Sequence, residues 1–167
     1  MSEHFPKVTY IIIGSKERLS RVKSYQIEKG AECLLCPFQS LEELPSLLDL
    51  KIAELDSSVI SLIPAGAFPK KDARAQLEHF SGSEFHFWGW YHFGNKFKGA
   101  AQSIGKINTL LNKVPQLEQG IFFSRPLYFS VGGLGDSGLN PFAELAKRFY
   151  LRLDPQNPLP SLTIRAK

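Results

Sequence analysis

Three clusters of residues have types and spacings that could do chemistry. The first is Cys33-Leu34-Leu35-Cys36. A C-x-x-C pair acts as a redox couple when it opens a helix, where the environment lowers the thiol pKa. These cysteines lie instead in an apolar run that reads as a strand, in which residues three apart face opposite sides. The competing reading is two buried small hydrophobes. No second C-x-x-C is present to complete a zinc site. The second cluster is Glu84–Phe93, EFHFWGWYHF. His86, Trp88, Trp90 and His92 alternate and would share one face of a regular strand, with Phe85, Phe87, Tyr91 and Phe93 on the other. His86, Trp88 and Trp90 would then form a platform for stacking on sugar C–H surfaces. A two-sided core strand with one wet edge is the alternative. His86 and His92 would sit about 20 Å apart along a strand, too far to share one metal. The third cluster is Gly132–Gly138, GGLGDSG. It places Asp136 in a glycine-rich loop, as an active carboxylate or as an ordinary turn aspartate. The loop lacks the Lys-Ser/Thr of a P-loop and does not follow an N-terminal strand, so it is a poor phosphate cradle. Arg125, Lys147, Arg148 and Arg152 could meet a phosphate without a metal. For the last three, a solvated helix face is the competing reading. Ser124 and Ser137 fall in no nucleophile motif.

The elements that would position these residues follow from apolar periodicity and breakers. Val8–Ile13 (VTYIII), Ala31–Cys36 and Val59–Ile63 read as buried strands that stop at Gly14, Pro37 and Pro64. Helices are expected over 16–29, capped by Ser15 and closed by Gly30, over 41–50 with Ser40 as cap, and over 70–80. Alternation of strand and helix predicts a mainly parallel sheet with helices on its faces, joined by right-handed crossovers. Functional groups in such sheets gather at the strand carboxyl ends. Those ends here are Gly14-Ser15, Pro37–Ser40 and Pro64–Gly66. The second half is mixed and rich in aromatics. It holds a strand at 84–93, a turn at 94–98, a helix at 99–111, a strand at 120–123, an element starting at Pro126, a helix at 142–153, a Pro-rich connector at 154–160 and an edge strand at 162–164.

The 167 residues carry 20 basic and 16 acidic side chains, a net +4, with 43% hydrophobic and 22% charged residues. That composition is ordinary for a globular protein and excludes intrinsic disorder. One domain is the expectation at this length, and it can bury roughly 70% of its unfolded surface without a metal or disulfide. The longest apolar stretches fall far short of the ~20 residues of a membrane span. Met1–Pro6 shows no basic region followed by a long apolar run, so no secretory signal is expected. With only two cysteines, a reducing, cytoplasmic setting is expected. The pI of 9.1 invites a nucleic-acid partner, but the basic residues are scattered among acids, which argues against one.

The stretch Gln119-Gly120-Ile121-Phe122-Phe123-Ser124-Arg125, followed by Val131-Gly132-Gly133-Leu134, resembles the "G-x-x-F-x-R-R … GGF" segment of family 2 glycosyltransferases with the GT-A fold. The resemblance runs from Val8 to Ile164 and is strongest in Gly120–Phe149. It implies a single Rossmann-like GT-A-type domain over 1–167, with a nucleotide-binding-like half (1–80) and an acceptor-like half (81–167). The family's metal-binding acids fall here on Pro64, Ala65 and Gly66. Its base-reading aspartate falls among Pro37, Phe38 and Gln39, and its later acidic pair on Pro141 and Phe142. Transfer from a nucleotide-sugar needs the diphosphate neutralised and an acceptor hydroxyl deprotonated. Proline, alanine, glycine and phenylalanine side chains do neither. Asp72 and Asp136 are the nearest acids. The expectation is a glycosyltransferase-like protein without standard metal-dependent catalysis, with no metal ligand and no cofactor, binding a nucleotide-sugar, a carbohydrate or a protein partner. An active, metal-independent transferase is the alternative, with Asp136 or a histidine as base and His86, Trp88, Trp90 and Arg125 at the substrate. An anion- or nucleic-acid-binding module is the third.

Overall fold

The computed structural model describes residues 7–92 and 115–164. The chain is α/β. Its elements are β1 (Val8–Gly14), α1 (Lys16–Ser20), β2 (Ala31–Pro37), α2 (Leu44–Ala53), β3 (Val59–Pro64), β4 (Ala67–Phe68), α3 (Lys71–Ser81), β5 (Trp88–Trp90), a 3-10 turn (Leu117–Gln119), β6 (Ile121–Ser124), α4 (Arg125–Ser130), α5 (Pro141–Tyr150) and β7 (Thr163–Ile164). The main sheet is an open, five-stranded, mixed one in the order β2-β1-β3-β6-β5. β1 pairs parallel with both β2 and β3, while β6 runs antiparallel to β3 and to β5. β4 and β7 form a separate two-stranded ribbon.

Both faces of the sheet are covered, as the unbroken apolar strands require. Ile11, Ile13, Ile60, Leu62, Trp88, Trp90, Ile121 and Phe123 face one core, filled by Leu44, Leu48 and Ile52 of α2, Leu127 and Tyr128 of α4, and Phe142, Leu145 and Phe149 of α5. Val8, Tyr10, Ile12, Val59, Ile63, Phe87, Tyr91 and Phe122 face the other, closed by Leu19 of α1, Ala73 and Leu77 of α3, Phe68 of β4, and Leu159 and Leu162. The alternation read in the aromatic segment thus holds from Phe87 to Tyr91, where neighbours point into opposite cores.

Across β3, β6 and β5 on the second face, Ser61, Phe122 and Gly89 stand in one row. A Cβ at Gly89 would lie 2.6 Å from Cζ of Phe122, so the ring occupies the space the glycine leaves. Beside that row, the hydroxyls of Tyr91 and Ser61 are 2.7 Å apart and buried. They link β5 to β3 over β6.

Several boundaries differ from the sequence reading. The helix expected over 16–29 ends at Ser20. Val22, Tyr25 and Ile27 instead pack irregularly on the second core, and Tyr25 stacks on Phe68 with ring centroids 4.1 Å apart. That tertiary packing outweighs the weak gain of extending a short helix. α2 starts at Leu44, with Pro45 in its first turn. Ser40 does not cap it. Glu43 turns its carboxylate back to the N–H groups of Gln39 and Ser40. Of the ten-residue strand expected at 84–93, Trp88–Trp90 form β5, paired with Ile121–Phe123 of β6, and at Phe87 the Ser124 hydroxyl takes the place of a backbone carbonyl as acceptor; Phe93 lies outside the described residues. The element starting at Pro126 is the short helix α4. The edge strand at the end, β7, pairs with β4 rather than joining the main sheet. The Pro-rich connector runs along β5: Gln156 and Leu159 N–H donate to the Trp88 and Trp90 carbonyls at 2.8 and 2.9 Å. The helix expected at 99–111 and the turn at 94–98 lie outside the described residues.

Replacing Gly89 with alanine is expected to cost about 1–3 kcal/mol of stability through overpacking against Phe122. Urea unfolding of Gly89→Ala, and of Gly89→Ala with Phe122→Leu, measures it. Part of the loss should return in the double variant.

Candidate functional site

The carboxyl ends of β1, β2 and β3 meet where a doubly wound sheet would carry its site. Backbone bonds sew them together. Ala65 N–H donates to Ile13 O at 2.7 Å, and Phe38 N–H donates to Gly14 O at 3.1 Å. A Cβ on Gly14 would stand 2.7 Å from that of Ala65, so glycine is needed for β1 and the turn after β3 to close up. Ser15 spends its hydroxyl oxygen accepting Arg18 N–H at the start of α1. Gly14, Ser15, Pro37–Ser40 and Pro64–Gly66 carry no carboxylate themselves; the one that reaches them, from Glu43, accepts from the Gln39 and Ser40 N–H groups. Among the described residues, no three His, Cys, Asp or Glu side chains converge as a metal site. Asp72 is exposed in the first turn of α3.

The glycine-rich loop is organised by an acid the sequence reading did not single out. Asp49 of α2 accepts from Leu134 N–H and Gly135 N–H, both at 2.9 Å, and from the Tyr128 hydroxyl. Successive amide groups that could cradle an anion are thus filled by a carboxylate of the chain itself. Burial, together with the bond to Asp49, pushes the Tyr128 phenol above its ordinary pKa, so it stays a donor. Gly133 has φ +68°, and a Cβ there would meet the Asp49 carboxylate at 2.6 Å. From α5, Arg148 donates to Gly133 O at 2.7 Å. The solvated-face reading of this helix therefore holds for exposed Lys147, which pairs with Glu144, but not for Arg148. Arg152 donates to Ser130 O at 3.1 Å.

The residues singled out by type lie apart. Asp136 is exposed and makes no hydrogen bond or ion pair with a described residue. Ser137 beside it is buried, with a hydroxyl that finds no partner among them. His86 is exposed. Trp88 is 0% and Trp90 8% exposed; the Trp88 ring packs with Phe149 and Tyr150, and Trp90 packs on Trp88. The Trp88 indole N–H donates to Leu153 O at 3.0 Å. These aromatic faces are spent on the core and do not form an open platform. Arg125 donates to the carbonyls of Ile52 and Ala53, both at 3.3 Å, and lies 4.8 Å over the Phe129 ring. It satisfies the C-terminal carbonyls of α2, where a cation also meets the helix dipole favourably.

The cysteines face opposite cores, Cys33 half-buried on one and Cys36 buried in the other. Burial pushes the Cys33 thiol up to about 11, with the charge of Glu32 adding to it, and burial also raises Cys36. At the amino ends of the strands, a cavity of about 10 Å³ lies among Tyr10, Glu28, Arg74 and Glu78, room for one water. The chain matches no family model and no curated protein.

Asp49→Ala is expected to lose about 3 kcal/mol, since it strands a buried N–H and removes charge-assisted bonds. Tyr128→Phe should lose only about 1 kcal/mol. Urea unfolding gives both values, and limited proteolysis at 132–140 should speed up in Asp49→Ala alone. At pH 8, Cys33 should be about one part in a thousand thiolate. Both thiols should then label far more slowly with an aromatic disulfide than in urea, and mild oxidation should form no 33–36 bridge.

Proposed function

We propose that this chain is a sugar-transferase-like scaffold of the GT-A kind that has given up the standard metal-dependent site and serves as a binding or partner-regulating subunit. The observation that carries this reading is the makeup of the crevice end of β1–β3: Gly14, Pro37, Phe38, Pro64, Ala65 and Gly66, drawn together by backbone bonds. These six side chains carry no oxygen ligand for a diphosphate-bound cation, and the Glu43 carboxylate, which reaches this end, is engaged by the Gln39 and Ser40 N–H groups. The parallel order β2-β1-β3 followed by antiparallel β6 agrees with such a scaffold.

The metal-independent alternative needs free cations for the phosphates and a base for the acceptor. Three of the four cations it would use are engaged with backbone carbonyls: Arg125 with Ile52 and Ala53, Arg148 with Gly133, and Arg152 with Ser130. The feature in its favour is Asp136, an exposed carboxylate with no partner among the described residues. The binding-subunit reading accounts for more of the observations.

Thermal shift with uridine and guanosine diphospho-sugars, with and without Mn²⁺, tests this. A nucleotide at about 100 times its Kd adds about 2.7 kcal/mol, which lifts Tm by roughly 5–11 °C at this size. No shift with any nucleotide is expected. A Mn²⁺-dependent rise overturns the proposal. A rise without metal that Asp136→Asn removes selects the alternative transferase. Salt-sensitive binding to generic DNA would instead mark an anion-binding module.

A further inference from the structure

The two edges of the main sheet differ. Along β5, Gln156 and Leu159 donate to Trp88 and Trp90, and His92 N–H donates to Leu159 O at 2.9 Å, so that edge is occupied. At β2, Phe38 N–H donates to Gly14 O, and Gly30 O accepts from Lys7 N–H at 2.7 Å. In an extended strand the backbone groups alternate sides. Even-numbered residues of β2 therefore face β1, and Ala31, Cys33, Leu35 and Pro37 face outward. Ala31 N–H already donates to Glu28 O at 3.1 Å, and proline has no N–H. The outward donors left are Cys33 N–H and Leu35 N–H, neither with a partner among the described residues. Leu35 is 45% exposed. The seven-residue strand carries no lysine, a single charge at Glu32 and its one proline at the very end, so its edge is lightly guarded.

We propose that β2 pairs antiparallel with β2 of a second copy, about a two-fold axis through Leu34, forming a closed dimer with a continuous sheet. In this register Cys33 faces Leu35 of the other copy, and each free N–H meets a free carbonyl. Pro37 falls opposite Ala31, so the residues with no donor to give sit at the margins. Glu32 is the only charge of the strand and falls opposite Cys36, so like charges do not meet. Its carboxylate is also held by the Thr9 hydroxyl at 2.6 Å. A slip of two residues either way shortens the overlap and leaves an inner carbonyl opposite a residue without a free N–H. Because the β5 edge is occupied, each copy offers one open edge of the main sheet among the described residues. The assembly stops at two instead of growing into a fibre.

Sedimentation velocity on the full chain tests this. The expected mass is twice 18.7 kDa. Leu35→Pro removes an outward donor without touching a bond to β1. It should weaken the dimer at least about 100-fold while far-UV circular dichroism stays the same. If that variant does not fold, Leu35→Lys is expected to do the same by charging the edge. Leu34→Cys, with Cys33→Ala and Cys36→Ala, should cross-link under mild oxidation, because the axis brings residue 34 to within about 4.5 Å of its mate, inside disulfide range. A monomeric wild-type chain overturns the proposal, and so does a folded Leu35 variant that still dimerises or a dimer that fails to cross-link at position 34.

Discussion

The antiparallel insertion of β6 between β3 and β5 joins the two halves of the chain. All four of its residues, Ile121–Ser124, are buried. Phe123 faces the core filled by α2, α4 and α5, and Phe122 faces the core closed by α1, α3 and the β4–β7 ribbon. One short strand thus supplies side chains to both layers. Its two ends are also fixed. Gly120, at φ +73°, lets the chain enter the sheet beneath the Leu62 carbonyl, where a Cβ would stand 2.8 Å away. At the other end, Ser124 exchanges bonds with Phe87: its N–H donates to the Phe87 carbonyl, and its hydroxyl accepts from Phe87 N–H. The first-half strands supply the crossover order, but β6 decides what they are joined to.

How much of this could be read in advance depended on range. β1, β2 and β3 were legible because each is a dense apolar run ended by a breaker, and both faces of a central strand must be apolar. α3 and α5 were legible because their apolar residues recur at helical spacing. Features set by distant partners were not legible. The length of β5 depends on β6, more than 25 residues on in sequence. The early end of α1 depends on Phe68, which captures Tyr25. The strap over β5 depends on main-chain groups, which leave no trace in side-chain pattern.

The site residues divide the same way. That Gly14, Pro37, Phe38, Pro64, Ala65 and Gly66 carry no acid is legible from residue identity alone, whereas the return of the Glu43 carboxylate to Gln39 and Ser40 is not. The fates of Trp88, Trp90, Arg125 and Arg148 are not legible either, because a tryptophan or arginine suits a binding surface and a buried structural role equally well. Burial and the carbonyls of Ile52, Ala53 and Gly133 settle which role each plays here. The role of Asp49 is not legible in the sequence because its partners lie some 80 residues away, at Tyr128, Leu134 and Gly135. A single acid within the run Leu47-Leu48-Asp49-Leu50 was the one local hint, and it named no partner.

The hydroxyls of Tyr91 and Ser61 are shut away from water and satisfy each other across β6. Were β5 to settle one notch out of alignment, the phenol would swing to the opposite side and both hydroxyls would be left bare in hydrocarbon. Since the neighbouring contacts are greasy and forgiving, this polar couple acts as a proofreading check on assembly. It adds little to the depth of the native well, but it raises the cost of every near miss.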